Sequence, residues 1–188
     1  MAFHSYEQSR VALLERGEVT TAVAAVYDKL FTERGVVPNM FKAVANTPEL
    51  ALGFAALLKP LMGDGALPAF YKELVATRVS ALNECEYCVS SHRYLAKLRG
   101  ASHEQIQAFD HYEDGPFSER EKAGFRYADL LHTGGNAIDD AAWNAVSAHF
   151  TQNELIELTA VIAAFEFFPR FNSALHIPVT PLPEEHTR

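Results

Sequence analysis

A hydroxyl residue followed three positions later by Glu or Gln recurs at Ser102/Gln105, Ser118/Glu121 and Thr151/Glu154. In each pair the hydroxyl can accept the later residue's backbone amide while the carboxyl or carboxamide group reaches back to the earlier amide, satisfying donors that a helix start leaves free. Three helix starts are therefore written into the second half of the chain. The first half signals with glycine and proline instead. Val23, Val26, Tyr27, Leu30 and Phe31 recur at helical steps from about Thr20 to Arg34, where Gly35 supplies a stop, and a turn at 36–39 leads into a short segment from Met40 to Ala45. Thr47-Pro48 starts a helix that reaches about Leu61 before Gly63-Asp64-Gly65 breaks it, and Pro68 opens the next, up to about Leu82. Gly100 closes the helix before Ser102, Gly134-Gly135 closes the one from Ser118, and a short helix is expected from Asp139 to Phe150. Leu155 to Phe168 is apolar on nearly every side, which predicts a helix at the centre of a bundle. No alternating pattern reads as a strand, so the expected class is all-α.

The chain's 188 residues suit one domain, 1–188, with an N-terminal helical extension (about 1–46) and an extended tail (about 176–188). Pro178, Pro181 and Pro183 give that tail the character of an arm for a partner subunit. Sixteen basic against 24 acidic side chains leave a net charge of -8, which disfavours nucleic acid and anionic lipid as partners. The first residues lack the basic region and apolar run of a secretory signal, and no apolar stretch is long enough to span a membrane, so a cytoplasmic location is expected. In that reducing setting a lone Cys-x-x-Cys pair points to redox chemistry or metal binding rather than a structural staple.

The two cysteines, Cys85 and Cys88, stand between Glu73 and His92. Two thiols three apart can join when the chain is helical or turned between them, and a histidine four beyond the second lies one helical turn further along the same face. Glu73 shares its side of a helix with Ala69, Ala76, Thr77 and Ser80, small neighbours that let another backbone close over it; a desolvated carboxyl group there is suited to hold or pass a proton. Asn83 ends one helix and Cys85 to Cys88 begin the next, where free amides and the helix dipole favour thiolate. Helix-start position favours Cys85 as the activated thiol; closeness to His92 favours Cys88. Zinc is the rival reading, with Cys85, Cys88, His92 and Glu73 as ligands, but the second distant pair that structural zinc usually takes is missing from the sequence, and no metal or cofactor is expected.

The pattern Glu73-x11-Cys85-x2-Cys88-x3-His92 resembles the active-site signature of the alkylhydroperoxidase D family, within the wider carboxymuconolactone decarboxylase superfamily. Gly35-Val36-Val37-Pro38-Asn39-Met40, the run Leu82 to Cys88 and the ending Arg170 to Leu175 resemble the peroxidase-related subgroup. The resemblance implies an AhpD-like helical bundle with the Cys-x-x-Cys at a helix N-terminus, assembly into dimers, trimers or hexamers, and thiol-dependent reduction of a hydroperoxide substrate. In the implied cycle Cys88, deprotonated with help from His92, attacks the hydroperoxide, Cys85 resolves the sulfenic acid, Glu73 shuttles protons, and an external thiol or dithiol reductant protein restores the pair. A redox sensor or disulfide oxidoreductase without efficient turnover is the alternative. Two departures stand out: Tyr87 replaces the histidine that peroxidase-active members carry before the second cysteine, and Pro169 stands where the subgroup has asparagine, inside a helix that proline should kink.

Overall fold

Each of the three hydroxyl-led pairs closes a reciprocal capping box, and each opens a helix at the next residue. The computed structural model describes residues 3–183. Among them the helices are α1 (Thr21–Arg34), α2 (Asn39–Val44), α3 (Pro48–Met62), α4 (Ala69–Leu82), α5 (Glu86–Leu98), α6 (His103–Ala108), α7 (Glu119–Thr133), α8 (Asp140–Ser147) and α9 (Gln152–Ala174). Short 3₁₀ turns lie at 16–18, 112–114 and 135–137, and the β-type pairing within the described residues is one isolated bridge, between His4 and Cys85. The remaining stops are those the sequence announces. Gly35 adopts φ 71° and donates its amide to the Phe31 carbonyl, and Gly134 at φ 149° ends α7, both in the left-handed region that favours glycine.

The central helix is α4, not α9. Nearly every side chain from Tyr71 to Ala81 is buried, with α5, α7 and α9 packed around it. Most of its polar residues are tolerated there because they are paired: Lys72 with Glu157 at 3.2 Å, the Thr77 hydroxyl with the Glu73 carbonyl at 2.8 Å, and Arg78 with Asp129 at 2.7 Å. Helix α9 buries Leu158, Val161, Ile162, Phe165 and Phe168 but turns Ile156 (69% exposed) and Phe167 (51%) outward. The expectation of an all-round buried α9 is therefore corrected to a helix buried along one face, with an exposed outer stripe that is also apolar. Pro169 lies inside α9, which remains one helix through residue 174.

The tail also differs from expectation. Ile177 and Thr180 are buried against the same chain; Asn39 donates its backbone amide to the Thr180 hydroxyl (2.9 Å) and its side-chain amide to the Pro178 carbonyl (3.1 Å). Residues 177–183 thus lie along the start of α2 instead of leaving as an arm for a partner. The rest of the expected tail, 184–188, lies outside the described residues.

Candidate active site

Helix α4 ends at Leu82, Asn83 caps it, and Glu84 at φ 54° reverses the chain so that the Cys85 amide reaches back to the Ser80 carbonyl at 3.0 Å. Cys85 is then the N-cap of α5, its sulfur accepting the Cys88 amide at 3.3 Å. The Cys-x-x-Cys therefore sits at a helix N-terminus, and the two sulfurs, both free thiols, are 2.7 Å apart. Both cysteines are buried, at 2% exposure each. The hydrogen bond with Cys88, aided by the Cys88 backbone amide and the Ser173 hydroxyl, holds the Cys85 thiol below its ordinary range against the effect of burial. Burial, then the adjoining Cys85 sulfur, pushes the Cys88 thiol well up. Of the two sulfurs, Cys85 is accordingly the better placed to hold a negative charge.

Glu73, on α4, is fully buried. One carboxylate oxygen lies 2.5 Å from His92 Nδ1 and the other 3.0 Å from the Arg99 guanidinium. The carboxylate thus orients the imidazole, whose edge also meets the Phe165 ring at 4.3 Å between centroids, and leaves Nε2 on the far side of the ring. A narrow cleft with about 40 Å³ of free space is walled by Cys88, His92, Glu73, Arg34, Met40 and Phe165 among others; Cys85 does not line it. Cys88 and His92 share that wall with no hydrogen bond between them among those of the described residues. Four residues named from the sequence are therefore brought together, and the hydrogen-bonding partner of His92 is Glu73 rather than a thiol.

Tyr87 has a structural task. It is buried, its hydroxyl accepts the Met40 amide at 3.1 Å and meets the Thr180 hydroxyl, and burial pushes its pKa up to about 12. The phenol joins the start of α2 to the tail and stays neutral at working pH.

Sequence reasoning passed over Asn172 and Ser173. Asn172, buried on α9, donates its side-chain amide to Cys88 Sγ at 3.3 Å, while its side-chain carbonyl has no hydrogen-bond partner. Ser80, also buried without a hydrogen bond, lies beside the same sulfur. The available signal was a lone carboxamide directly after the phenylalanine-rich stretch Phe165 to Phe171. Among the described residues no group of three or more His, Cys, Asp or Glu side chains is disposed to hold a metal ion.

Fold and site together define an all-helical dithiol protein, with its thiols at a helix start and a His–Glu pair beside them. Residues 48–130, which contain Glu73, Cys85, Cys88 and His92, match the model of the Carboxymuconolactone decarboxylase family. The chain is 32% identical over 108 residues to the uncharacterized protein YnjA of Escherichia coli K12, a match spanning 57% of this chain and 59% of that protein. Among solved structures it is similar to the AhpD core of a peroxidase-related protein from Ralstonia eutropha JMP134 (TM-score 0.84, 23% identity, 94% of each chain). The debrominase Bmp8, solved in complex with 2,3,4-tribromopyrrole, has the same fold (TM-score 0.84, 21% identity, 95% of this chain and 96% of that one).

Proposed function

We propose that the protein is a thiol-dependent peroxidase that reduces hydroperoxides through a Cys85/Cys88 dithiol–disulfide cycle, in the cytoplasm. The observation that carries this reading is the pair of free sulfurs at 2.7 Å, one of which, Cys88, opens onto a cleft shared with the Glu73-oriented His92. The proton on Cys88 passes across the short contact to Cys85, leaving a Cys88 thiolate with Asn172 as donor. That thiolate attacks the terminal oxygen; the S–O bond forms, the O–O bond breaks, and the leaving alkoxide takes a proton with His92 as the donor on that wall. Cys85 then attacks the Cys88 sulfenic acid, the disulfide forms and water leaves. The balance is two thiols and one hydroperoxide giving one disulfide, one alcohol and one water. An external thiol or dithiol protein, thioredoxin-like or lipoyl-bearing, closes the cycle.

One observation favours a second reading, a redox sensor without turnover: both sulfurs are almost fully buried, which slows a protein reductant. Exposed Leu50, Leu57, Ile156 and Phe167 support a homo-oligomer under either reading.

The test is mass spectrometry of the reduced protein after brief exposure to cumene hydroperoxide. Wild type should form the Cys85–Cys88 disulfide, Cys85→Ser should accumulate a sulfenic acid on Cys88, and Cys88→Ser should consume no peroxide. Sustained consumption by Cys88→Ser would overturn the assignment, and a disulfide that no dithiol reductant recycles would favour the sensor.

A further inference from the structure

The redox steps leave Arg34 unused. It is the last residue of α1, and its carbonyl accepts the Tyr94 hydroxyl at 3.1 Å, which fixes its backbone beside α5. Its guanidinium, partly buried, lines the cleft with Cys88, His92 and Glu73. Among the described residues no carboxylate forms an ion pair with it and no side-chain hydrogen bond satisfies it; the carboxylate in the same cleft, Glu73, is committed to His92 and Arg99. One anion therefore stands against two arginines, and burial already works against the Arg34 cation, which Glu73 only partly relieves. The rest of the wall, including Met40, Phe41, Leu58, Phe165 and Phe168, is apolar. A buried cation on an apolar wall is matched by a ligand with an apolar body and a single negative charge, and a guanidinium suits a carboxylate because two parallel N–H groups meet its two oxygens.

The approach is charged in the same sense. A wide groove between α1 and α3 meets the cleft at Arg34, Phe41, Leu58 and Met62, and along it Lys29, Arg34, Lys59 and Arg99 outnumber Glu33 and Asp64. Asp64 is moreover occupied in holding the Ala69 amide at 3.1 Å. An acid entering by this groove meets positive charge before it meets sulfur.

We infer that the cleft selects organic hydroperoxides that carry a carboxylate, with Arg34 binding that carboxylate while Cys88 attacks the peroxide. This rests on the peroxidase reading above; the sulfur chemistry and its balance are unchanged, and the carboxylate takes no part in them.

The experiment compares cumene hydroperoxide with its ring-carboxylated analogue in wild type, Arg34→Gln and Arg34→Lys. Binding of the unreactive acid 4-isopropylbenzoate is measured alongside by calorimetry. Wild type should favour the carboxylated peroxide in kcat/KM, and Arg34→Gln should lower that preference by about 10- to 100-fold, the worth of one charge-assisted pair, with Arg34→Lys between them. No preference in wild type, or an equal loss for both peroxides in Arg34→Gln, overturns the inference and leaves the peroxidase reading standing. Should neither peroxide oxidise the cysteines, the peroxidase reading falls and the calorimetry decides. Binding of 4-isopropylbenzoate that Arg34→Gln abolishes upholds the carboxylate site, and absence of binding to wild type overturns it.

Discussion

Replacing Asn172 with alanine separates the chemistry of the cleft from the stability of the fold. The side chain makes one hydrogen bond, from its amide to Cys88 Sγ at 3.3 Å, and keeps its carbonyl oxygen buried without a partner. A hydrogen bond to a charged group contributes about 1.5–3 kcal/mol, and here it reaches full strength only when Cys88 is a thiolate. Its loss should slow Cys88 oxidation by about 10- to 100-fold. Stability should respond differently. Alanine leaves a small cavity, costing about 1–2 kcal/mol, but it also removes an unsatisfied buried acceptor whose burial costs about 1–3 kcal/mol, so the two nearly cancel. The backbone carbonyl of residue 172, which accepts the Ile177 amide at 3.0 Å, is untouched. Rapid-quench mass spectrometry gives the oxidation rate of Cys88, alkylation by iodoacetamide gives its thiolate reactivity without a peroxide, and urea unfolding gives stability. A variant that loses several kcal/mol while both Cys88 rates stay within twofold would refute the reasoning and make Asn172 a packing residue.

Tyr87→Phe removes the acceptor of the Met40 amide, and unfolding should become easier by about 1–2 kcal/mol while the pH profile of peroxide reduction stays put between pH 5 and 9. The sign at high pH follows from the raised pKa: the neutral phenol's contribution is complete below about 10 and is lost as pH climbs to about 12, so wild type should lose stability over that window faster than Tyr87→Phe in alkaline urea titrations. At Gly124 an added methyl would collide with the Tyr71 hydroxyl, which donates to the Glu121 carbonyl at 2.8 Å. Gly124→Ala would gain roughly 0.5–1 kcal/mol of helix propensity but cost about 1–3 kcal/mol in overpacking and a broken bond, so a lower Tm is expected, and a raised Tm would show that Tyr71 can move aside.

Local signals carried furthest where they act within one turn. The capping boxes at Ser102, Ser118 and Thr151 and the stop at Gly35 depend on residues three or four apart, and all formed. Glu73 and His92 were legible for a similar reason: fixed offsets from the cysteines on adjoining helices let one hydrogen bond close between them. What could not be seen depended on long-range packing. Whether α4 or α9 occupies the centre is decided by which polar groups find partners, and the Lys72–Glu157 and Arg78–Asp129 pairs join residues from distant stretches of sequence. Asn172 meets Cys88, and Arg34 joins the cleft, only because α9 and the end of α1 converge on α5. The tail was misjudged because proline spacing specifies extension but not what the extended chain lies against.

The contact between Asn39 and residues 178–180 gives the last described stretch a mechanical part in the shape of the cleft. Met40 and Phe41, which follow that contact directly, are wall residues of the cleft, so the last described stretch buttresses one side of it. Cutting the polypeptide before Ile177, or prising its end away with a bulky fusion, should therefore reshape the chamber itself, a distortion that enzymologists would meet as altered selectivity long before they saw unfolding.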